Sequence, residues 1–245
     1  MKKLTFSFDY EKIININPTN YPVLNDHCIV KNKPVIPIAL IISLINNSVS
    51  ELFPNKNIVI NDFKVFKSGT INKDEDNNYL IGINNTVNGL NIMILSDVPC
   101  YGCKITFEDI SISSYEEIEH CEEVIDKKKT IYELTGLFHG DSLKVIENVA
   151  ITYEALEADI IKSADLVASI DAIFQACLIY AETVDKKKII PMSFERFESN
   201  FSDSDLSRIH INLAKESNNK YIFNGNLIND RLNIIVKNIN CITYT

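Results

Sequence analysis

The residues of this chain best suited to proton transfer are two of its four histidines. His27 follows an Asn-Asp turn signal and His139 precedes Gly-Asp-Ser, so both are predicted to lie in loops just ahead of apolar segments. Histidine is the side chain whose charge changes most readily near neutral pH. His210 lies in an alternating stretch predicted as a strand, and His120 lies in a charged stretch. His27 and His139 are therefore the candidates for acid–base chemistry.

A third candidate is Asp171, which interrupts a helix-length apolar segment, residues 164–181. Apolar residues on nearly every side of this segment predict a buried helix. A buried carboxylate is costly unless it is paired, hydrogen-bonded or protonated. Gln175 lies one turn further on the same face and can orient Asp171. Because burial raises the pKa of a carboxyl group, we expect Asp171 to stay protonated and to act as an acid. The alternative is a structural aspartate satisfied by a backbone or tyrosine partner.

Two parts of the sequence repeat one order of predicted elements, a buried helix followed by four strands. In the first part the helix spans 37–52 and the strands span 57–66, 79–83, 90–95 and 104–112. In the second part the helix spans 164–181 and the strands span 189–197, 208–213, 220–226 and 232–243. A strand is also predicted at 4–8, a short helix at 130–134 and a strand pair at 143–153.

A long helix wrapped by an antiparallel sheet is the hot-dog arrangement, so the repeat predicts an α+β, double hot-dog fold. We place an N-terminal unit at 1–122, which contributes the histidine, and a linker at 123–129. A C-terminal unit at 130–245 contributes the aspartate.

Composition narrows the classes of function. Hydrophobic residues make up 46% of the 245 residues, which predicts a real core, and the net charge of −9 argues against nucleic acid as a partner. Six cysteines are too sparse for a disulfide scaffold, so reduced thiols and a cytoplasmic location are expected. No signal peptide or membrane span is predicted. The lone pair Cys100 and Cys103 is interpreted as a turn between strands, because a zinc site would need a second ligand pair.

Four segments resemble, in order, the motifs of polyketide synthase dehydratase domains. The first family motif has a His, a Gly four residues on and a Pro just before the hot-dog helix. The second is a Tyr-Gly-Tyr-Gly-Pro-Phe pattern, the third a Leu-Asp-Ala helix with a Gln, and the fourth a Leu-Pro strand with a Ser. The matching segments are 26–37 (DHCIVKNKPVIP), 132–143 (YELTGLFHGDSL), 169–175 (SIDAIFQ) and 190–193 (IPMS).

This chain departs from the family pattern at several positions, which identifies it as a divergent member. The spacing from His27 to Pro37 is one residue longer than in the family. The substituted positions are Lys31 in place of Gly, His139 in place of Tyr, Asp141 in place of Pro, Leu143 in place of Phe and Leu166 in place of Pro.

The resemblance implies dehydration of a 3-hydroxyacyl thioester carried on the phosphopantetheine arm of an acyl carrier protein. His27 would be the base that takes the C2 proton, and Asp171 the acid that protonates the leaving hydroxyl. The other residues implied to bind or orient substrate are Gln175, His139, Gly140 and Pro37. Neither a metal nor an organic cofactor is expected. Other synthase domains or enzymes are expected partners, the protein would be a monomer or homodimer, and the start at Met1 favours a free-standing enzyme.

Two other functions stay open at this point. The same fold can shift double bonds or guide cyclisation; the retained Asp171 argues against the first, whereas His139 keeps the second in play. A non-catalytic double hot-dog protein that binds an acyl chain or scaffolds a complex is the other alternative. The basic runs 127–129 and 186–188 are either solvated loops or contacts for an acidic carrier protein.

Overall fold

The structure is a computed structural model that describes residues 6–27, 34–71, 77–109, 123–125, 128–137, 139–162, 164–201, 207–217, 219–229 and 232–244. Within these residues it contains twelve strands and three α-helices. The strands are β1 (Tyr10–Asn15), β2 (Ile58–Val65), β3 (Asn78–Thr86), β4 (Gly89–Leu95), β5 (Pro99–Phe107), β6 (Glu123–Ile125), β7 (Ile146–Ile151), β8 (Ala155–Ile160), β9 (Ile189–Phe201), β10 (Arg208–Ser217), β11 (Lys220–Ile228) and β12 (Leu232–Thr243). The helices are α1 (Ile38–Leu52), α2 (Lys128–Thr135) and α3 (Leu166–Asp185).

All twelve strands form one antiparallel sheet in which the two halves of the chain repeat the same strand order. Outward from the centre, the first half runs β2, β5, β4, β3 and β1, and the second runs β9, β12, β11, β10 and β8. Strands β7 and β6 extend the second edge. In each half the long helix immediately precedes the central strand in the sequence. The two central strands, β2 and β9, pair with each other, so that Phe63 lies opposite Phe194. The predicted double hot-dog fold is confirmed.

The sequence sets the bounds of the two long helices. Helix α1 begins after Pro37, whose carbonyl accepts from the Leu40 N–H and whose ring has no N–H to leave unpaired. Helix α3 begins after Asp165, whose carboxylate accepts from the Ala168 N–H at 2.8 Å. It ends at Lys186, which has a left-handed backbone conformation (φ 55°).

The helices α1 and α3 contact each other in the interior. Helix α3 is long and apolar enough to cross a membrane, but 72% of its most apolar window is buried inside this protein. It is therefore accounted for as the core helix of the second half. Its polar residues Asp171 and Gln175, whose burial is unfavourable unless they are hydrogen-bonded, are 4% and 1% exposed.

Several predicted boundaries differ from the structure. The first strand lies at Tyr10–Asn15, where it pairs with β3 at the sheet edge. Of the strand predicted at 4–8, residues 6–8 are not in a strand, and residues 4 and 5 lie outside the described residues. The strand pair predicted at 143–153 lies further along the chain, where β7 (Ile146–Ile151) pairs with β8 (Ala155–Ile160). The prediction of a turn at Cys100 and Cys103 is wrong, because both are buried within β5.

The predicted linker 123–129 also contains regular structure. Strand β6 pairs with β7, which belongs to the second half of the sheet, and α2 begins at Lys128. The division of the chain into units at this segment stays a prediction.

Candidate active site

Two loops, one from each half, meet directly and bring His27 and His139 together. The backbone of His27 pairs with that of His139 in an isolated antiparallel bridge. The Gly140 N–H donates to the Asp26 carbonyl at 2.7 Å, and the Ser142 N–H donates to the Asp26 carboxylate at 3.0 Å. A Cβ at position 140 would lie 2.0 Å from an Asp26 oxygen, so the contact requires glycine there. The rings of the two histidines lie 5.3 Å apart, centroid to centroid.

The protonation state of His27 follows from its backbone partner. Its Nδ1 lies 2.8 Å from the carbonyl oxygen of Val35. A carbonyl oxygen can only accept, so Nδ1 carries the proton and Nε2 of the neutral ring carries the lone pair. Burial lowers the pKa of His27; Asp171 and the Val35 hydrogen bond oppose this, and His139 adds to it. The pKa lies below its ordinary value, which favours a neutral ring that can accept a proton.

Asp171 is held by side chains from its own helix and from the second loop. Its Oδ2 accepts from the Gln175 amide at 2.7 Å and lies 3.4 Å from Nε2 of His139. Burial alone would raise the pKa of Asp171, but His139, His27 and Gln175 together outweigh it, so the pKa lies below its usual value. The prediction that burial keeps Asp171 protonated is therefore wrong. The carboxylate is stabilised as the ionised partner of His139.

Gln175 is fixed by three hydrogen bonds. Its amide nitrogen donates to Asp171 and also to the Leu143 carbonyl at 2.8 Å. Its amide oxygen accepts from the Tyr132 hydroxyl at 2.8 Å, and that hydroxyl in turn accepts from the Ile146 N–H at 3.3 Å. Because donors and acceptors are matched throughout, Gln175 holds Asp171 in one orientation.

His27, His139 and Asp171 line one cavity of about 120 Å³ between the two halves. Residues three and four apart on α3 form one of its walls, and these are Asp171, Phe174, Gln175, Leu178 and Glu182. The first half contributes mainly apolar groups, namely Val35, Ile36, Ile38, Val65, Ser68 and Tyr101. The cavity therefore extends along α3 from the polar cluster towards Glu182 and Lys188.

The structure places the predicted site residues in two groups. His27, His139, Asp171 and Gln175 lie together at the cavity. Pro37 and Gly140 do not line it: Pro37 caps α1, and Gly140 holds the two loops together. Tyr132 was not assigned a role from the sequence, although it opens the second resembling segment. The roles of all these residues in catalysis stay predictions.

No protein-family model matches this sequence, and no match was found among curated proteins. Its fold, however, is that of solved polyketide synthase dehydratase domains. The dehydratase domain from the CurJ module of curacin polyketide synthase has a TM-score of 0.76 and 20% identity, over 96% of this chain and 90% of that one.

Two further structures give the same result. The dehydratase domain of a mycocerosic acid synthase-like polyketide synthase has a TM-score of 0.81 and 12% identity, over 96% of this chain and 91% of that one. The dehydratase domain from the CurF module of curacin polyketide synthase has a TM-score of 0.78 and 17% identity, over 98% and 95%. These likenesses extend across almost the whole chain and identify the fold as the double hot dog of dehydratase domains.

Proposed function

We propose that this protein is a dehydratase that converts carrier-bound 3-hydroxyacyl thioesters into 2-enoyl thioesters in polyketide or fatty-acid-like biosynthesis. One observation carries the proposal: His27 from the first half and Asp171 from the second line one cavity, and a ring nitrogen of His27 lies within 4.8 Å of a carboxylate oxygen of Asp171. A neutral base and a proton-donating pair on the two sides of one small cavity are the groups that elimination of water needs.

In the proposed reaction, Nε2 of His27 takes the C2 proton and the electron pair forms the C2–C3 double bond. The C3–O bond breaks, and the departing hydroxyl takes a proton from the Asp171–His139 pair and leaves as water. Nε2 of His139 and Oδ2 of Asp171 lie 3.4 Å apart, so that a proton can be shared between the two groups before it is delivered. Gln175 fixes the carboxylate so that the proton is presented towards the cavity.

The thioester carbonyl needs a hydrogen-bond donor as negative charge builds on its oxygen. The first turn of α1 is suited to this, because its leading N–H groups have no acceptor within the helix and the helix dipole favours negative charge there. Ile38, the first residue of α1, lines the cavity. The first half would therefore supply both the base and the polarising dipole.

The proposed partner is an acidic acyl carrier protein whose phosphopantetheine arm delivers the substrate. In support, Lys188 lines the cavity and Lys186 and Lys187 precede it directly after α3. Opposite charges at such an opening favour encounter with an acidic partner. Elimination by His27 and Asp171 needs no organic cofactor. We expect the protein to act in the cytoplasm with other synthase domains or enzymes.

The likeness to CurJ adds a precedent from another protein, because one of its solved structures is an inactive mutant in which a histidine is replaced by phenylalanine. The matched test here is His27→Phe, which keeps an aromatic ring but removes both ring nitrogens, and Asp171→Asn, which keeps the shape of the carboxylate. Asp141→Asn is the control, since Asp141 is fully exposed and lies outside the cavity.

Turnover of a 3-hydroxyacyl pantetheine thioester is followed by mass spectrometry, in which loss of one water marks dehydration. We expect His27→Phe and Asp171→Asn each to lower turnover by about 10²–10⁴-fold and Asp141→Asn to leave it unchanged. If both site variants keep wild-type turnover, the assignment of the pair is wrong.

A second candidate is a cyclase or isomerase built on the same fold. It is favoured by one observation, the direct contact of His139 with Asp171 at a position where the family has tyrosine. One structural neighbour is an isomerase-inactive variant of the GphF dehydratase domain, so isomerase activity occurs on this fold. A product of unchanged mass with a moved double bond or a new ring would support this candidate over dehydration.

A further inference from the structure

We propose that His27, His139 and Asp171 form a binding site for one divalent transition-metal ion of the Zn²⁺ class. Each residue offers one ligand atom, and these three atoms all lie within 4.8 Å of one another. Two imidazoles and one carboxylate are a donor set that Zn²⁺ binds well. Among the described residues, this is the group in which three possible metal-ligand atoms lie this close together.

The spacing of the donors fits one ion. Ligands of a tetrahedral Zn²⁺ at roughly 2.0–2.2 Å lie about 3.4 Å from each other. Nε2 of His139 and Oδ2 of Asp171 are 3.4 Å apart, which already equals that spacing. His27 comes from the facing loop and needs only to move closer, because its atom lies within 4.8 Å of the other two.

The groups behind these donors are those that support metal ligands. A metal-bound histidine usually donates its other ring N–H to a carbonyl, and His27 does so to Val35 at 2.8 Å. A ligating carboxylate is usually hydrogen-bonded, and Asp171 accepts from Gln175 at 2.7 Å. Nδ1 of His139 is buried without a hydrogen-bond partner among the described residues, so this ring is positioned by the loop backbone and by Asp171 and not by a second hydrogen bond of its own.

The site has room for a fourth ligand. The three side chains lie on the wall of the cavity, so water or an oxygen of a bound acyl group can complete the coordination. An ion there would occupy the lone pair of His27 and the carboxylate of Asp171. It would therefore inhibit dehydration, a consequence that rests on the proposed function, whereas binding of the ion does not.

The first test measures binding of the metal alone to the full chain. Chelator-treated protein is titrated with Co²⁺ and the visible absorption is recorded, and Zn²⁺ bound at equilibrium is measured by dialysis. We expect one ion per chain and no near-ultraviolet thiolate-to-cobalt band, since the donors are nitrogen and oxygen. His139→Phe and Asp171→Asn should each weaken binding at least about tenfold. Asp141→Asn is the matched carboxylate control and should bind like the wild type.

The outcomes separate this proposal from the dehydratase proposal. Circular dichroism first establishes that each variant is folded. If only one of His139→Phe and Asp171→Asn folds, that variant alone is enough for the test. Equal binding by His139→Phe or Asp171→Asn and the wild type, a thiolate band, or no bound ion overturns the metal site. We expect the chelator-treated protein to turn over substrate, to lose this activity when Zn²⁺ is added, and to regain it when chelator is added again. If the protein shows no turnover either with or without Zn²⁺, the proposed dehydratase function is contradicted, whereas the metal site is still decided by the Co²⁺ absorption.

Discussion

Helices α1 and α3 occupy equivalent places in the two halves, but they present different chemistry to the cavity between them. Helix α1 lines it with Ile38, an apolar residue at its first turn. Helix α3 lines it with Asp171 and Gln175 among apolar neighbours. The first half instead supplies its polar group from a loop, through His27.

This difference shows how one fold repeated twice can form an asymmetric site. A buried carboxylate is affordable in α3 because His139, Gln175 and, beyond it, Tyr132 meet its hydrogen-bonding needs. The described part of α1 has no such set of partners. Two substitutions test this difference: one places a charge in α1, and the other removes the partner that Asp171 has within α3.

The largest effect is expected from Ser48→Asp, which puts a carboxylate into the buried face of α1. Ser48 is 3% exposed and its hydroxyl has no partner among the described residues. A carboxylate there must stay desolvated or protonated, so the free energy of unfolding should fall by about 3 kcal/mol or more at neutral pH. Urea unfolding measures the change.

The control for this substitution is Asn47→Asp, which places the same charge on the exposed neighbouring position. It should change stability by less than about 0.5 kcal/mol. If Ser48→Asp is as stable as Asn47→Asp, then α1 tolerates a carboxylate without dedicated partners, and the proposed contrast between the helices fails.

A smaller effect is expected from Gln175→Leu, which removes the hydrogen-bond donor that Asp171 has on its own helix but leaves the charge of Asp171 and its contact with His139. The Tyr132 hydroxyl and the Leu143 carbonyl also lose their partner, so the free energy of unfolding should fall by about 1–3 kcal/mol. Turnover should fall on the order of tenfold to a hundredfold, because Asp171 is no longer held in one orientation. Steady-state kinetics and urea unfolding measure the two quantities.

Ile179→Val is the control, since Ile179 is buried in the same helix, does not line the cavity and makes no hydrogen bond through its side chain. It should cost about 0.5–1.5 kcal/mol and leave turnover close to wild type. A Gln175→Leu variant that is destabilised but turns over normally would assign Gln175 to stability and not to orientation of Asp171.

The smallest effect is expected from Lys12→Ala, which removes an exposed ion pair between β1 and α1. The Lys12 ammonium lies 2.6 Å from the Glu51 carboxylate, and the two side chains are 43% and 61% exposed. Such pairs contribute less than about 1 kcal/mol because water screens them. Thermal unfolding should therefore change little and turnover should not change; a large loss of stability would show that this edge of the first half depends on the pair.

The fold could be predicted from the sequence because each half shows the same order of locally recognisable elements, a long apolar helix followed by strands. Apolar helix-length runs and turn residues located both long helices, and strand β12 was predicted at its observed bounds. Strand β1 at the sheet edge and strand β8 between β10 and β7 were misplaced, since β1 is positioned by pairing with β3 and β8 by pairing with β10, both distant in the sequence. Such long-range pairing leaves only a weak trace in the local sequence.

The site could be predicted as a set of residues but not as a set of contacts. His27, His139, Asp171 and Gln175 were identified, yet the protonation of Asp171 was wrong because the approach of His139 was not foreseen. That approach depends on the bridge between two loops more than 100 residues apart in the sequence. Only the folded chain brings these partners into contact.

The central pairing of β2 with β9 has a consequence for the synthesis of the chain. Strand β2 ends at Val65, but β9 begins only at Ile189, so β2 waits for its partner while the intervening residues are made. At ordinary rates of translation this takes on the order of ten seconds. An unpaired strand edge is a site for association with other chains. We therefore expect the chain to be most prone to associate with other chains during synthesis, after the first half is made and before β9 pairs with β2.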